Sequence, residues 1–271
     1  AFTGSKQVGL AIYASAAKTV EGQRQVKRVV CEMGGKNAII VDDDADLDEA
    51  VHGVSKSAFG FAGQKCSACS RALVHESVAD AFIERLKSAA KSIAMGPAQA
   101  AGTALGPVVD GDAYRRLMGA IENPGAGATK VFVGDAPQGG YFVPPAIFAV
   151  DDPKHALMQR ELFGPVLAVH RVKSFDDALA IATGTEFALT GAVFSRSPTH
   201  LDEARRRFRV GNLYLNRGST GALVERQPFG GFGMSGIGTK AGGPGYLQLF
   251  ADPRVVTENT MRRGFTPELE G

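Results

Sequence analysis

Short β-forming runs alternate with helix-like segments along most of this chain. Runs that favour strand or extended backbone lie at 26–31, 38–41, 72–75, 130–133, 141–150, 166–172, 192–195 and 211–215. Segments with apolar residues at helical spacing lie at 46–61, 78–93, 113–121, 175–182 and 198–208. Strands connected through helices pair in parallel, so the alternation predicts an α/β fold with a largely parallel sheet flanked by helices.

A further helix is predicted over 5–19, and the small residues Gly4 and Ser5 stand at its start. Free N–H groups at a helix N-terminus attract phosphate. A serine at this position is also an ordinary cap that accepts a backbone hydrogen bond. Both interpretations remain open on these residues alone. The chain begins at Ala1 without an initiator methionine, and we expect that an N-terminal part of the protein is missing.

The composition argues against several classes of protein. The chain has 271 residues, of which 44% are hydrophobic and 21% charged, as in an ordinary globular protein with a sizeable core. A net charge of +2 is too small to favour nucleic acid or an anionic membrane. No apolar run approaches the length of a membrane span. Three cysteines make a disulfide scaffold improbable, so we expect a reducing, cytoplasmic setting.

Two of the cysteines, Cys66 and Cys69, form a C-x-x-C pair that several kinds of chemistry could use. A zinc site needs four ligands, and the five histidines are scattered without short spacing, so we expect no metal. A thioredoxin-like pair lies between a strand and a helix, whereas this pair follows a long predicted helix. A lone nucleophile and two buried structural cysteines remain. Lys65 favours the nucleophile, because an adjacent cation lowers the pKa of a thiol.

A cysteine nucleophile needs a base. A Cys–His hydrolase is one alternative, but no histidine lies in a supporting motif. Glu32 is a stronger candidate, since it ends an apolar strand and is followed by Gly34 and Gly35, which allow close approach of the backbone. Partial burial there would raise the pKa of Glu32 toward that of a general base. A solvated glutamate at the end of a strand is the other interpretation.

The segment from Gly231 to Gly236 matches G-x-G-x-x-G, the pattern of many dinucleotide sites. It follows residues 227–229 (QPF) rather than an apolar strand, and Gly238 would disrupt a helix after it. We therefore interpret the segment as a flexible glycine-rich turn.

Four motifs, taken in order, resemble the aldehyde dehydrogenase superfamily. They are FTGSKQVG at 2–9, CEMGGKN at 31–37, GQKCSACSR at 63–71 and ELFGP at 161–165. Each motif is weak alone, but the ordered set is highly specific and the resemblance covers almost the whole chain. Within the superfamily, the chain is most similar to the L-glutamate γ-semialdehyde (Δ1-pyrroline-5-carboxylate) dehydrogenases of proline catabolism, on the evidence of 66–71, 216–222, 227–231, 242–250 and 255–263.

The resemblance implies an NAD-dependent oxidation that passes through covalent intermediates. Cys66 would attack the aldehyde to give a thiohemiacetal, Glu32 would activate the water that hydrolyses the later thioester, and Cys69 would only pack. The residues that the resemblance implies for NAD are Gly4, Ser5, Gly34, Glu161 and Phe163. Those that it implies for the substrate are Ser67, Gly218, Ser219 and Phe229.

The resemblance also implies three parts of the chain. They are a remnant of a Rossmann-type NAD-binding domain at 1–30, a catalytic domain at 31–230, and glycine-rich loops with a C-terminal tail at 231–271. The full-length protein is expected to be a homo-oligomer that binds a small semialdehyde and no nucleic acid. Two alternatives stay open, namely a dehydrogenase for another aldehyde and a fragment that keeps the fold without activity or NAD binding.

Overall fold

A seven-stranded sheet lies at the centre of the computed structural model, which describes residues 1–260 and Gly264. The strands are β1 (Phe2–Thr3), β2 (Cys31–Glu32), β3 (Asn37–Val41), β4 (Cys69–His75), β5 (Ala128–Val133), β6 (Ala146–Val150), β7 (Val166–Val172), β8 (Phe187–Ala188), β9 (Thr190–Phe194), β10 (Asn212–Leu215), β11 (Phe232–Gly233) and β12 (Gly236–Ile237). The helices are α1 (Lys6–Ala16), α2 (Leu47–Phe59), α3 (Glu76–Lys91), α4 (Gly111–Glu122), α5 (Ala156–Gln159), α6 (Phe175–Thr183) and α7 (Pro198–Arg207). Short 3₁₀ turns lie at Gly60–Gly63 and Leu247–Phe250.

The central sheet has the strand order β10-β9-β3-β4-β7-β6-β5. Neighbouring strands pair in parallel, except that β5 and β6 are antiparallel. The predicted α/β fold with a largely parallel sheet is thus confirmed. Every residue of β3 and β9 is buried, as expected for strands that helices cover on both faces.

Short polar side chains begin most of the helices that flank the sheet. The carboxylates of Asp46 and Asp110 accept backbone N–H bonds at the starts of α2 and α4. The hydroxyls of Ser174 and Ser197 do the same for α6 and α7. Each cap satisfies an N–H group that has no partner within its own helix. The helices therefore begin where the sequence supplies a cap.

The strand predicted over 26–31 is wrong except at its last residue. Only Cys31 and Glu32 form β2, which pairs with β1 on one side and with β12 on the other. Val30 accepts one hydrogen bond, from the Phe2 N–H, and Val26 is 86% exposed. No strand lies beside the residues before Val30 in the described chain, so a β-forming composition alone does not make a strand there.

β6 begins later than the extended segment predicted over 141–150. Pro144 and Pro145 lack N–H groups, so neither can donate to a sheet ladder. The first ladder bond comes from the Ala146 N–H to the Pro165 carbonyl at 2.9 Å. The short helix α5 follows β6, in a segment for which the sequence pattern predicts no element.

The glycine-rich segment at 231–236 contains the predicted turn, at 234–235, between two short strands that the sequence pattern did not predict. β11 pairs with β8, and β12 pairs with β2. Ser235 lies between them, is buried, and accepts the Ala188 N–H at 3.0 Å. The segment does not lead into a helix, which distinguishes it from a dinucleotide fingerprint.

A separate three-stranded sheet, in the order β1-β2-β12, accompanies α1. Gly9 is the one buried residue of α1. The division into parts at 1–30, 31–230 and 231–271 remains a prediction, and residues 261–263 and 265–271 of its tail lie outside the described residues. Over residues 1–260, no helix combines the length and the apolar character of a membrane span.

Candidate active site

A cavity of about 1070 Å³ brings together most of the residues that the motifs predict to be functional. Its walls include Gly4, Ser5, Glu32, Gly34, Cys66, Ser67, Glu161, Phe163 and Phe229. These residues come from the start of α1, from β2 and the turn after it, from the turn before β4, and from the loop before β7. Four motifs that are far apart in the sequence therefore meet at one site.

Cys66 lies in a tight turn before β4, because the chain reverses direction through the preceding 3₁₀ turn. Phe61 and Ala62 have φ values of 58° and 53°, in the left-handed region that side-chain-bearing residues rarely adopt. Gly63 follows with φ 65°, and a Cβ there would lie 2.2 Å from the Gly164 carbonyl oxygen. Only glycine fits this close approach, so the local sequence fixes where the turn can form.

Asn37, the first residue of β3, holds the turn that carries Cys66. Its Nδ2 donates to the carbonyl oxygens of Cys66 and Ala68 at 2.7 and 2.8 Å. Its Oδ1 accepts the Thr190 N–H at 2.9 Å, and Asn37 is 2% exposed. A buried amide with all these partners is fixed in orientation. The central sheet thus positions the backbone of Cys66.

Burial raises the pKa of the Cys66 thiol, and the negative charge of Glu161 raises it further, against an opposing hydrogen bond from the Ser67 N–H. The pKa of this thiol is thus raised, whereas a lowered pKa was predicted from the neighbouring Lys65. The Lys65 ammonium lies 5.9 Å from the centre of the Phe61 ring. The thiol is mostly protonated at neutral pH in this environment, so it needs a nearby proton acceptor to become a nucleophile.

Cys69 lies at the start of β4 and does not line the cavity. Its Sγ donates to the Arg71 carbonyl at 3.4 Å, and burial raises the pKa of its thiol to about 12. The three cysteines are all free. Within the described residues, the side chains that lie close enough together to hold a metal ion are Asp42, Asp43 and Asp44. No cysteine belongs to this group. The C-x-x-C pair therefore separates into one thiol at the cavity and one packed in the core.

Glu32 lies at the cavity on β2, with its backbone paired to Gly236 of β12. Its Oε2 is buried and has no hydrogen-bond partner among the described residues. Burial raises the pKa of this carboxyl to about 7, although the positive charge of Lys240 opposes the shift. The predicted direction is confirmed. A carboxyl that exchanges its proton near neutral pH has the property that a general base requires.

Glu161 approaches the backbone of the turn after β2, and its Oε1 accepts the Gly35 N–H at 2.9 Å. A Cβ at Gly34 would lie 1.9 Å from Glu161 Oε2, so only glycine permits this approach. Burial raises the pKa of Glu161, while the Gly35 N–H and the Lys36 charge oppose that effect. Phe163 lies close by with φ 52° and is 42% exposed. A carboxylate and an aromatic ring are thus available to a ligand.

The start of α1 supports both interpretations of its sequence. Ser5 Oγ accepts the Val8 N–H at 3.3 Å, which is the geometry of an ordinary cap. Gly4 and Ser5 also line the cavity, and a Cβ at Gly4 would lie 2.5 Å from the Phe2 ring. The N-terminal end of a helix, where anions are stabilised, therefore borders the site.

The predicted substrate residues Gly218 and Ser219 do not line the cavity. Ser219 is fully buried, its N–H donates to Ser57 Oγ at 3.1 Å, and its hydroxyl donates to the Ser67 carbonyl at 3.3 Å. A Cβ at Gly218 would lie 2.6 Å from Ser57 Oγ. The structure therefore uses the polar groups of Ser219 within the protein, and a substrate role for these two residues stays a prediction.

Gly221 and Ala222 line the cavity a few residues further along the same loop, and sequence reasoning missed them. Neither N–H donates a backbone or side-chain hydrogen bond to any other described residue. Gly221 has φ 86°, which glycine adopts at little cost. The sequence Thr220-Gly221-Ala222 does indicate such a site, because a glycine after a polar turn residue can direct successive N–H groups to one side.

The fold and the cavity define a class of enzyme. The model of the aldehyde dehydrogenase family matches residues 1–256, and the chain belongs to that family. The resemblance carried by the four motifs is thereby confirmed.

Several relatives within the family carry more specific names. The 1-pyrroline-5-carboxylate dehydrogenase of Geobacillus kaustophilus (strain HTA426) is 49% identical over 258 residues, which are 95% of this chain and 50% of the relative. Proline utilization A from Bdellovibrio bacteriovorus, solved after inactivation by N-propargylglycine, is 56% identical with a TM-score of 0.95, over 98% of this chain and 28% of that chain. The 1-pyrroline-5-carboxylate dehydrogenase from Thermus with bound NAD is 48% identical with a TM-score of 0.89, over 92% of this chain and 48% of that chain. The chain spans about half the length of the curated relatives it matches.

Proposed function

We propose that this chain is the catalytic half of an NAD-dependent dehydrogenase that oxidises L-glutamate γ-semialdehyde to L-glutamate in proline catabolism. The observation that carries the proposal is the placement of a thiol, Cys66, and a carboxyl with a raised pKa, Glu32, on the wall of one cavity. The names of the relatives support the semialdehyde as substrate.

The residues around Gly34 fit a nicotinamide cofactor. The absence of a side chain at Gly34 lets the Glu161 carboxylate lie against this backbone at the cavity wall, where it can accept hydrogen bonds from ribose hydroxyls. Phe163 offers a flat apolar surface to a ring, and Gly4 with Ser5 offers the start of a helix to phosphate. NAD, when bound, would take up the hydride that leaves the aldehyde carbon.

The residues of the chain would carry out the remaining chemistry in two stages. In the first, Glu32 takes the proton of the Cys66 thiol, and the sulfur forms a bond to the aldehyde carbon while the carbonyl electrons move to oxygen. The Cys66 N–H can stabilise that oxyanion. Loss of hydride then leaves a thioester on Cys66. In the second, Glu32 first releases that proton to solvent and then takes a proton from water, whose oxygen attacks the thioester carbon, and the C–S bond breaks to release the acid and the Cys66 thiolate.

The loop at 221–222 would hold the far end of the substrate. Gly221 and Ala222 have N–H groups without partners in the described chain, and such groups bind carboxylates well. Phe229 lines the same cavity and would pack on the aliphatic part of the semialdehyde. Donors placed for a carboxylate discriminate against aldehydes that lack one, because they would then stay unpaired.

We further propose that the enzyme acts in the cytoplasm and assembles as a homo-oligomer. The three free cysteines support a reducing compartment. The segment after β12 leaves Leu247 79%, Phe250 55% and Val255 89% exposed, which supports a partner surface that would cover them.

The test is the oxidation of L-glutamate γ-semialdehyde by the full-length protein that contains this chain, followed through NADH absorbance. Cys66→Ala should lower kcat by roughly a thousandfold or more, because no other residue supplies the nucleophile. Cys69→Ala is the matched control and should keep the activity within a few-fold. Equal losses in the two variants would contradict the assignment of Cys66.

A further inference from the structure

Lys240 extends its side chain toward the base of the proposed reaction, although no motif points to it. The next residue, Ala241, exchanges backbone hydrogen bonds with Phe229 at 2.7 and 2.8 Å, which anchors this segment at the cavity. The Lys240 ammonium donates to the Gly230 carbonyl and lies 4.7 Å from the centre of the Phe232 ring. These contacts fix the position of a cation that the rest of the mechanism does not use.

The Glu32 carboxyl and the Lys240 side chain both lie against Gly230, on the side where another residue would carry its Cβ. A Cβ built at Gly230 would lie 2.8 Å from Glu32 Oε1 and 3.5 Å from Lys240 Cδ. A Cβ at Gly211 would lie 2.6 Å from Lys240 Nζ and 1.8 Å from the Gly230 carbonyl oxygen. The two glycines therefore leave the space into which both the Glu32 carboxyl and the Lys240 side chain extend.

The Glu32 carboxyl needs a nearby positive charge if it is to ionise. Its Oε2 is buried without a hydrogen-bond partner in the described chain, and burial favours the neutral acid. The groups that interact electrostatically with Glu32 are the Cys66 and Cys31 thiols, whose thiolates would repel it, and the Lys240 ammonium. Among these groups only Lys240 favours the charged carboxylate.

We propose that Lys240 is a positioning residue for the general base, whose ammonium, held on the Gly230 carbonyl, increases the fraction of Glu32 that is charged at neutral pH. The inference rests on the proposed role of Glu32 in the reaction. Without the cation, the carboxyl stays protonated to higher pH and cannot take a proton from water. Thioester hydrolysis then slows at neutral pH and recovers as the pH rises.

An acyl-transfer assay on the 271-residue chain measures thioester hydrolysis on Cys66 without a cofactor. The Cys66 thiolate attacks p-nitrophenyl acetate, releases p-nitrophenolate and keeps the acetyl group as a thioester, which water then cleaves to acetate. Mass spectrometry measures the rate at which the acetyl group is lost. Lys240→Met should lose it roughly tenfold more slowly than wild type at neutral pH, and the midpoint of its pH profile should lie about one unit higher. Lys91→Met, an equal charge change at the exposed end of α3, should match wild type.

A direct titration of the carboxyl separates this inference from the proposed function. Carbon-13 NMR of glutamate side-chain carboxyls, with Glu32→Gln to identify the Glu32 resonance, gives the pKa of Glu32 in wild type and in Lys240→Met. A higher midpoint in the variant supports the inference, and an unchanged midpoint overturns it. A wild-type chain that p-nitrophenyl acetate fails to acylate would instead contradict the role of Cys66, and the NMR titration would still decide the role of Lys240.

Discussion

Glu32 carries an ionisable group that the fold keeps partly away from water. Its pKa is raised to about 7 by burial, from an ordinary value of 4.5, and the Lys240 charge offsets part of that effect. The partly buried placement that would make the carboxyl useful as a base also lowers the free energy of unfolding whenever the carboxyl is charged. An active-site residue that destabilises the fold in this way is common in enzymes.

The pH dependence of stability should reveal this cost. Between about pH 4.5 and about pH 7 the folded chain holds a proton on Glu32 that the unfolded chain has released, so the free energy of unfolding falls as the pH rises. Glu32→Gln lacks that proton exchange. Urea unfolding at about pH 4 and about pH 8 should show the variant gaining about 1–3 kcal/mol on wild type at the higher pH.

Glu122, exposed at the end of α4, provides the matched control. Glu122→Gln should follow the wild-type pH dependence closely, since the side chain at this position is exposed to solvent. A stability difference between wild type and Glu32→Gln that is the same at both pH values would contradict the raised pKa.

At the scale of elements, β3 and β9 hold the turn that carries Cys66, the proposed nucleophile. Asn37→Ala removes the two bonds to the carbonyls of Cys66 and Ala68 and leaves the Thr190 N–H without its acceptor. Unsatisfied buried groups of this kind cost about 1–3 kcal/mol each, and neighbouring losses are not additive. The free energy of unfolding should fall by about 2–4 kcal/mol.

The measurement is chemical denaturation together with iodoacetamide labelling of Cys66. Labelling should be faster in Asn37→Ala, because a loosened turn exposes the thiol and relieves the burial that raises its pKa. Asn123→Ala, at the exposed C-terminal end of α4, should change neither quantity by much. If the free energy of unfolding of Asn37→Ala equalled that of wild type, Asn37 would not be holding the turn.

Elements with a strong local pattern could be predicted from the sequence, and features that depend on distant segments could not. The buried run of β3 and the capped helices α2 and α7 follow from residues within each element. Glu32 and Cys66 are recognisable because each lies in a short motif. Lys240 escapes notice because its partner Glu32 lies at the other end of the chain. The direction of the Cys66 pKa shift depends on burial and on Glu161, which no local window contains.

At the scale of the whole molecule, the side of the cavity proposed to hold the cofactor is bordered by exposed apolar side chains. α1 leaves Val8 48%, Leu10 42% and Tyr13 50% exposed beside the proposed phosphate contact at Gly4 and Ser5. A dinucleotide has two nucleoside halves, and the proposed contacts in this chain serve the nicotinamide half and one phosphate. We therefore expect that the 271-residue chain binds NAD very weakly or not detectably, because few contacts offset the entropy of association.

Isothermal titration of the chain with NAD measures this affinity, and the full-length protein is the control that should bind tightly. Micromolar binding by the 271-residue chain would contradict the expectation. It would mean that Glu161, Phe163 and the start of α1 supply most of the recognition.

The bonds of Asn37 also set the order in which the reactive centre can be built. They join β3 to the Cys66 carbonyl 29 residues away and to the Thr190 N–H 153 residues away. Contacts between segments so distant in sequence form slowly, because a long loop must close first. During synthesis from the N-terminus, Cys66 is made well before Thr190. A growing chain therefore holds Cys66, the proposed nucleophile, in an incomplete setting until β9 has been made and has docked beside β3.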